Sequence, residues 1–357
     1  MLVGLIVAVV LAAIGTAAVA ATTTVVASGL NNPRGLTFGP DGTLYVAEAG
    51  TGGAGPCITN SEPSYVCFGT TGSITQIRKG RQTRIVTGLP SLAAVGGGGA
   101  TGPHDVSAVG NGGLLVAIGL GAPPANTAPG GVLEGTGLGT IIRLNGSSGH
   151  WNSVADLAAY EAAVNPDGTD LDTNPYGLLA LAGHMYVADA GGNSVLEVSE
   201  SGRVSTVAGF PQTMVNLPFP PFSPVPMDPV PTAVALGPDG LLYAGQLTGF
   251  PFPVGGSTVW RLGPGGPVSF RTGFTNVVDI TFGPDGSLYV VEIDSSSLLF
   301  PPDMIGSLIK VAQNGTKTTV AGGLFSPGGV ALDRNGTPYV TVCSVCPGGG
   351  QVLRIDP

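Results

Sequence analysis

Five carboxylates are spaced so that they could act together. Glu48, Asp189 and Glu292 each stand three residues after a tyrosine (Tyr45, Tyr186, Tyr289), and Gln246 stands in the same way after Tyr243. Asp105 and Asp279 each precede the tyrosine position of their own segment (Leu115, Tyr289) by ten residues. If these segments are repeats of one unit, the five acids gather at one end of it. Five converging carboxylates repel one another, so they need raised pKa values, a nearby cation such as Arg34, or a bound metal. Oxygen donors without a thiolate suit Ca²⁺ better than Zn²⁺, which makes Glu48, Asp189, Asp279 and Glu292 the candidate metal ligands. The competing reading is structural, because acids at strand ends also cap backbone N–H groups or pair with a neighbouring strand.

Next to Asp105 stands His104, the one imidazole placed to serve as an acid or base, with Asp105 as its companion. His150 and His184 fall in turns elsewhere. Aligned with His104 are Arg34 and Tyr176, which together with Asn193 and Gln246 are the candidate ligand-binding side chains. A serine nucleophile is unsupported, since no G-x-S-x-G elbow occurs. P-loop, dinucleotide-binding and haem-attachment patterns are also missing.

The elements that must hold these residues are short strands. "GPDGTLYVAE" (39–48) returns as "GPDGLLYAGQ" (237–246) and "GPDGSLYVVE" (283–292). Pro presets a type I turn, Asp bonds its own backbone, and Gly takes the left-handed position that returns the chain. The pair Tyr45-Val46 recurs as Leu115-Val116, Tyr186-Val187, Tyr243-Ala244, Tyr289-Val290 and Tyr339-Val340, spaced 46–71 residues apart. An apolar strand precedes each copy, and two more follow most of them, as in "GSITQIR" and "TRIVTGL". Six units of four antiparallel strands predict a six-bladed β-propeller. The last unit is one strand short, and "TTTVVASGL" (22–30) resembles the missing fourth strand. It is expected to pair with the last blade and close the ring.

Loop lengths are asymmetric. Turns between strands one and two and between three and four are short. Loops between strands two and three, and between blades (89–102, 158–173, 211–230), are long. The two long classes emerge on one face, where binding is expected. The Pro-rich stretch 210–231 reads as a rim loop, since the repeats continue beyond it.

Composition narrows the partners. Of 357 residues, 60 are Gly, 31 are Pro and 10% are charged, with a net charge of −9. No basic stripe exists for nucleic acid. Residues 1–21, "MLVGLIVAVVLAAIGTAAVAA", are apolar and uncharged and end in a small-residue cleavage pattern. They read as a signal peptide, with an uncleaved anchor as the alternative, which leaves 22–357 as one exported domain, secreted or periplasmic. Four cysteines behind such a leader suggest disulfides. The local pairings Cys57–Cys67 and Cys343–Cys346 are favoured, and crossed pairing stays open because blades one and six are neighbours. "NGS" at 145–147 and "NGT" at 314–316 and 335–337 match glycosylation sequons but are also good turn sequences.

With the blades aligned, the chain resembles the ScyD/ScyE family of secreted bacterial propellers. The resemblance rests on "LNNPRGLTFGPDGTLYVAEAG" (30–50), "GPHDV" (102–106), "NPYGLLAL" (174–181), "YVADAGGNSVLEV" (186–198), "VPTAVALGPDGLLYAGQLTGFPFPVGGSTVWRL" (230–262) and "NVVDITFGPDGSLYVVE" (276–292). The blades are more distantly similar to NHL repeats, to SMP-30/gluconolactonase-like propellers and to streptogramin lyase. The gluconolactonase resemblance implies a divalent cation held on the axis by Glu, Asn and Asp. Glu48, Asp279 and Asn174 or Asn276 are comparable in type. The lyase resemblance implies a His base with Mg²⁺, for which His104 is the candidate. The resulting expectation is an exported propeller that binds a small molecule or an extracellular protein on its long-loop face without catalysis. The alternative is a cation-dependent lactone or ester hydrolase, or a lyase, at the channel mouth.

Overall fold

A computed structural model describes residues 21–110, 113–144, 150–299 and 303–356. The leader and the sequon at 145–147 lie outside the described residues. The chain forms six four-stranded antiparallel blades around an axis. β1 (Thr22–Leu30) belongs to the last blade. Blade one holds β2 (Pro33–Phe38), β3 (Leu44–Glu48), β5 (Tyr65–Arg78) and β6 (Arg81–Ala93), with β4 (Cys57–Thr59) added to β5. Blade two is β7 (Pro103–Val109), β8 (Gly113–Ile118), β9 (Thr140–Leu144) and β10 (Trp151–Asp156). Helix α1 (Leu157–Val164) leads to blade three, β11 (Pro175–Leu181), β12 (His184–Asp189), β13 (Ser194–Ser199) and β14 (Val204–Gly209). The Pro-rich rim segment folds into a separate hairpin, β15 (Thr213–Asn216) with β16 (Pro224–Met227). Blade four is β17 (Pro231–Leu236), β18 (Leu242–Gln246), β19 (Ser257–Gly263) and β20 (Gly266–Phe274). Blade five is β21 (Val277–Phe282), β22 (Leu288–Glu292), β23 (Ile305–Val311) and β24 (Lys317–Phe325). Blade six is β25 (Gly329–Leu332), β26 (Pro338–Val342) and β27 (Gly350–Asp356), completed by β1. Val25 pairs with Leu353, so β1 closes the ring.

The turns work as their residues dictate. Asp41, Asp239 and Asp285 each accept the N–H two residues on, from Thr43, Leu241 and Ser287 at 3.0–3.2 Å. Gly42, Gly240 and Gly286 then take φ of +80°, +76° and +74°, where a Cβ is costly.

Burial is organised between blades. Leu36, Leu44 and Val46 of blade one pack on Ala27, Leu30 and Val352 of blade six. Ala233, Tyr243 and Phe274 of blade four pack on Ile280, Leu288 and Val290 of blade five. Near the axis the inner strands at Gly329 come too close for a side chain. A Cβ on Gly329 would stand 2.9 Å from the Arg34 carbonyl oxygen. Both favoured disulfides are present, Cys57–Cys67 and Cys343–Cys346. Among the described residues no helix is long and apolar enough to cross a membrane.

Candidate functional site at the channel mouth

In five of the six inner strands the register with strand two slips just after the first residue. The slips lie between Pro33 and Leu36, Pro103 and Asp105, Pro175 and Gly177, Pro231 and Ala233, and Val277 and Asp279. Such a bulge leaves residues unpaired and re-aims their side chains. The residues within these slips include Arg34, His104, Tyr176, Thr232 and Val278. Blades one to three therefore supply a cation, an imidazole and a phenol, while blades four and five supply Thr232 and Val278.

Arg34, His104 and Tyr176 meet. Arg34 is 8% exposed and donates from Nη2 to the Ala100 carbonyl at 2.9 Å and from Nη1 to Tyr176 Oη at 3.4 Å. Its guanidinium carbon stands 6.0 Å from the Tyr176 ring centroid. Its Nε has no acceptor, and no carboxylate pairs with it among the described residues. The His104 and Tyr176 rings lie 4.7 Å apart. His104 is buried, with Nδ1 3.1 Å from the Pro175 carbonyl. Burial, then the Arg34 charge, push its pKa down to about 3. The imidazole is therefore neutral at physiological pH and a weak base. Asn174 Oδ1 is also buried without a donor, close to the His104 ring across Gly119. Tyr176, half-buried, forms the accessible edge of this nook.

Asp105 and Asp279 lie one residue deeper and bind neighbouring blades together. Asp105 accepts from Val106 N at 2.8 Å and, across to blade three, from Leu178 N at 2.7 Å. Asp279 repeats this with Ile280 N at 2.8 Å and Val330 N of blade six at 2.7 Å. Both pKa values are raised by burial, and the Asp279 charge raises that of Asp105 further. The two acids thus sense each other across the axis.

The other three acids are occupied separately. Glu48 accepts from Asn31 N at 2.7 Å, Thr75 Oγ1 at 2.5 Å and Arg84 Nη2 at 2.7 Å. Asp189 accepts from Thr173 Oγ1 at 2.5 Å, Asn174 N at 2.6 Å and Gly192 N at 3.0 Å. Glu292 accepts from Thr275 N at 2.8 Å, Ser295 Oγ at 2.7 Å and Ser307 Oγ at 3.2 Å. All three tie the segment that enters their blade to the end of strand two. Among the described residues no three His, Cys, Asp or Glu side chains stand close enough to hold one metal ion. Gln246 accepts from Trp260 Nε1 at 2.7 Å, and Asn193 donates to Asp167 at 2.9 Å, so neither joins the Arg34 nook. Sequence reasoning missed Arg84 and Glu161. Arg84 was findable, since it lies opposite Thr75 in a hairpin whose pairing the short "KGR" turn sets. Two shallow grooves on the tight face, one beside Phe38 and Tyr339 and one beside Tyr243 and Phe270, contain none of these residues.

No family model matches the chain, and no curated protein matches it in sequence. Solved structures do match in fold. A gluconolactonase from Xanthomonas campestris has a TM-score of 0.55 at 11% identity, covering 94% of this chain and 89% of that one. The calcium-binding protein regucalcin from Agrobacterium tumefaciens has a TM-score of 0.53 at 12% identity, covering 94% and 93%. An aldose sugar dehydrogenase from Streptomyces coelicolor, in its PQQ-bound form, has a TM-score of 0.54 at 12% identity, covering 94% and 98%. Three unlike activities on one scaffold identify the fold and leave function to the site.

Proposed function

We propose that this chain is an exported ligand-binding propeller whose site is the channel mouth, and that its ligand is a small molecule bearing a carboxylate or similar anionic group. The observation that carries this is Arg34, a buried guanidinium with a free Nε and no counter-ion among the described residues, in a protein of net charge −9. Removing a charge from water without a partner is costly, and an anionic ligand would offset that cost. Tyr176 and the unpartnered Asn174 oxygen supply a stacking surface and an acceptor beside it. His104, neutral and weakly basic, suits recognition better than proton transfer. Export is supported by the leader and by two disulfides. The resemblance of the quoted motifs to the ScyD/ScyE propellers supports export in this reading, with an envelope protein as the alternative partner and no nucleic acid.

The test is equilibrium binding of a panel of small carboxylates and their neutral methyl esters to the purified mature chain. An acid should bind at least about tenfold more tightly than its ester, and Arg34→Gln should remove that preference, as loss of a charged hydrogen bond predicts. Equal binding of acid and ester, or an unchanged preference in Arg34→Gln, would overturn the reading.

A second reading, a cation-dependent lactone or ester hydrolase, is favoured by the paired acids Asp105 and Asp279 on the axis and by the gluconolactonase and regucalcin among its fold neighbours. A lactone panel decides it. Turnover that is lost in Asp279→Ala and in EDTA would support hydrolysis; no turnover would remove it.

A further inference from the structure

Helix α1 buries a carboxylate that nothing satisfies. Asp156 caps the helix by accepting from Ala159 N, and Asn165 ends it in the left-handed conformation. Glu161 on this helix is 1% exposed, and neither of its carboxylate oxygens has a partner among the described residues. The following loop, "NPDGTDLDT" (165–173), brings more acid. Asp167 is held by Thr169 N at 3.0 Å and Asn193 Nδ2 at 2.9 Å, and Asp172 by Thr173 N at 2.8 Å. Gly192 lies between Glu161 and Asp189. A Cβ there would stand 2.8 Å from Glu161 Oε2 and 3.3 Å from Asp189 Cγ. The charged groups acting on Glu161 are Asp189, Asp167 and Asp172, all acidic. A buried carboxyl without partners is a cost proteins rarely leave standing.

We propose that Glu161 and Asp189, whose carboxylates flank Gly192, form a Ca²⁺-binding site beneath helix α1, with Asp167 and Asp172 of the following loop adding negative charge around it. The donors are all oxygen, which selects a hard cation. Among the described residues no three acids stand at ligand spacing, so Glu161 and Asp189 are the two carboxylate ligands. Backbone carbonyls and waters complete the shell, as the six to eight flexible ligands of Ca²⁺ allow and the rigid octahedron of Mg²⁺ does not. The site is off the axis and structural. Through Asp189 it would brace Thr173 and Asn174, at the entry to the strand that carries Tyr176. It is independent of the ligand proposed for the channel mouth.

The experiment is calorimetric titration of the EDTA-stripped mature chain with CaCl₂ and with MgCl₂ at pH 7. The expected result is one Ca²⁺ per chain, Kd about 10⁻⁴–10⁻³ M as in extracellular calcium modules, with Mg²⁺ binding more weakly. Glu161→Gln keeps the shape and should weaken binding at least about tenfold, the scale of one lost charge interaction. Gly192→Ala keeps every charge but fills the gap and should weaken it comparably; it decides the matter if Glu161→Gln fails to fold. Glu200→Gln, an exposed acid of blade three, should bind Ca²⁺ like the wild type. No Ca²⁺ binding, binding unchanged in the folded Glu161 and Gly192 variants, or binding weakened equally in Glu200→Gln would overturn the proposal.

Discussion

His104 shows how burial decides what a side chain can do. Its type and its neighbour Asp105 suggest acid–base chemistry, but the structure holds its Nδ1 on a backbone carbonyl and turns Asp105 to backbone N–H groups. The consequence is measurable in stability. The unfolded imidazole protonates near 6.5, the folded one only near 3. The unfolded state therefore binds more protons between these values, and stability falls as pH drops from about 6.5 toward 3. Replacing His104 with Gln should remove part of this acid sensitivity, about 1–2 kcal/mol of the loss by pH 5. Urea unfolding at pH 7 and pH 5 for both proteins checks it, and parallel losses would refute it. Glu161 has the opposite sign. Its pKa rises from 4.5 to about 8 on folding, so without a bound cation it costs stability as pH climbs through that window. The residue types at the mouth were legible because the repeats align them. Their partners were not: Ser295 and Thr173 reach Glu292 and Asp189 from loops outside the repeated pattern.

At the scale of elements, the short hairpins are what the sequence makes plainest. Each Asp and Gly of the G-P-D-G turns performs the local task its chemistry allows, and tight turns fix strand register. Elements within the long loops were hidden. β5 begins at Tyr65, ahead of the "GSITQIR" strand, because the segment joined by Cys57–Cys67 pairs back as β4. Helix α1 has only eight residues and no clear amphipathic stripe, and the hairpin β15–β16 is built from a Pro-rich stretch that reads as irregular. One contact joins hairpin to mouth. Glu48 at the end of β3 is fully buried and is compensated by Arg84 of β6, whose side chain is 37% exposed. Truncating Arg84 to Ala leaves that carboxylate with hydrogen bonds from Asn31 and Thr75 only. The expected loss is about 1–3 kcal/mol, discounted for the exposure of Arg84. Glu48→Gln combined with Arg84→Met should lose less than Arg84→Ala alone. A double variant that is the less stable of the two in urea would show that the ion pair, rather than charge burial, governs this corner.

For the whole molecule the decisive contact is the closure of the ring. β1 pairs along its length with β27, from Thr22 opposite Asp356 to Leu30 opposite Gly350. It also reaches blade one. Ser28 and Gln82 exchange two hydrogen bonds at 3.0 and 2.9 Å, and Arg84 Nη2 donates to the Gly29 carbonyl at 2.8 Å. The strand therefore fastens blade six to blade one on both sides, and buries Ala27 and Leu30 between them. Its direction matters as well. Leu30 leads into the mouth, so Thr22 lies toward the tight face, and a tether through the N-terminus would hold the mouth away from its anchor. A chain lacking residues 22–30 would expose the edge of β27 and part of the core. Burial of Leu30 and Ala27, together with the lost ladder, is worth on the order of 4–6 kcal/mol. The truncated chain should melt many degrees lower and should self-associate through the open edge, since an unpaired strand invites another. The synthetic peptide TTTVVASGL, added in excess, should restore both the melting temperature and the monomer. Size-exclusion chromatography and thermal melting with and without the peptide read this directly. A truncated chain that melts like the intact one would mean that five complete blades and one short blade hold together by the inter-blade cores alone. The same peptide made with Pro at the adjacent paired positions Thr24 and Val25 loses at least one N–H that faces β27, so it should rescue less well if strand pairing is the force that closes the ring.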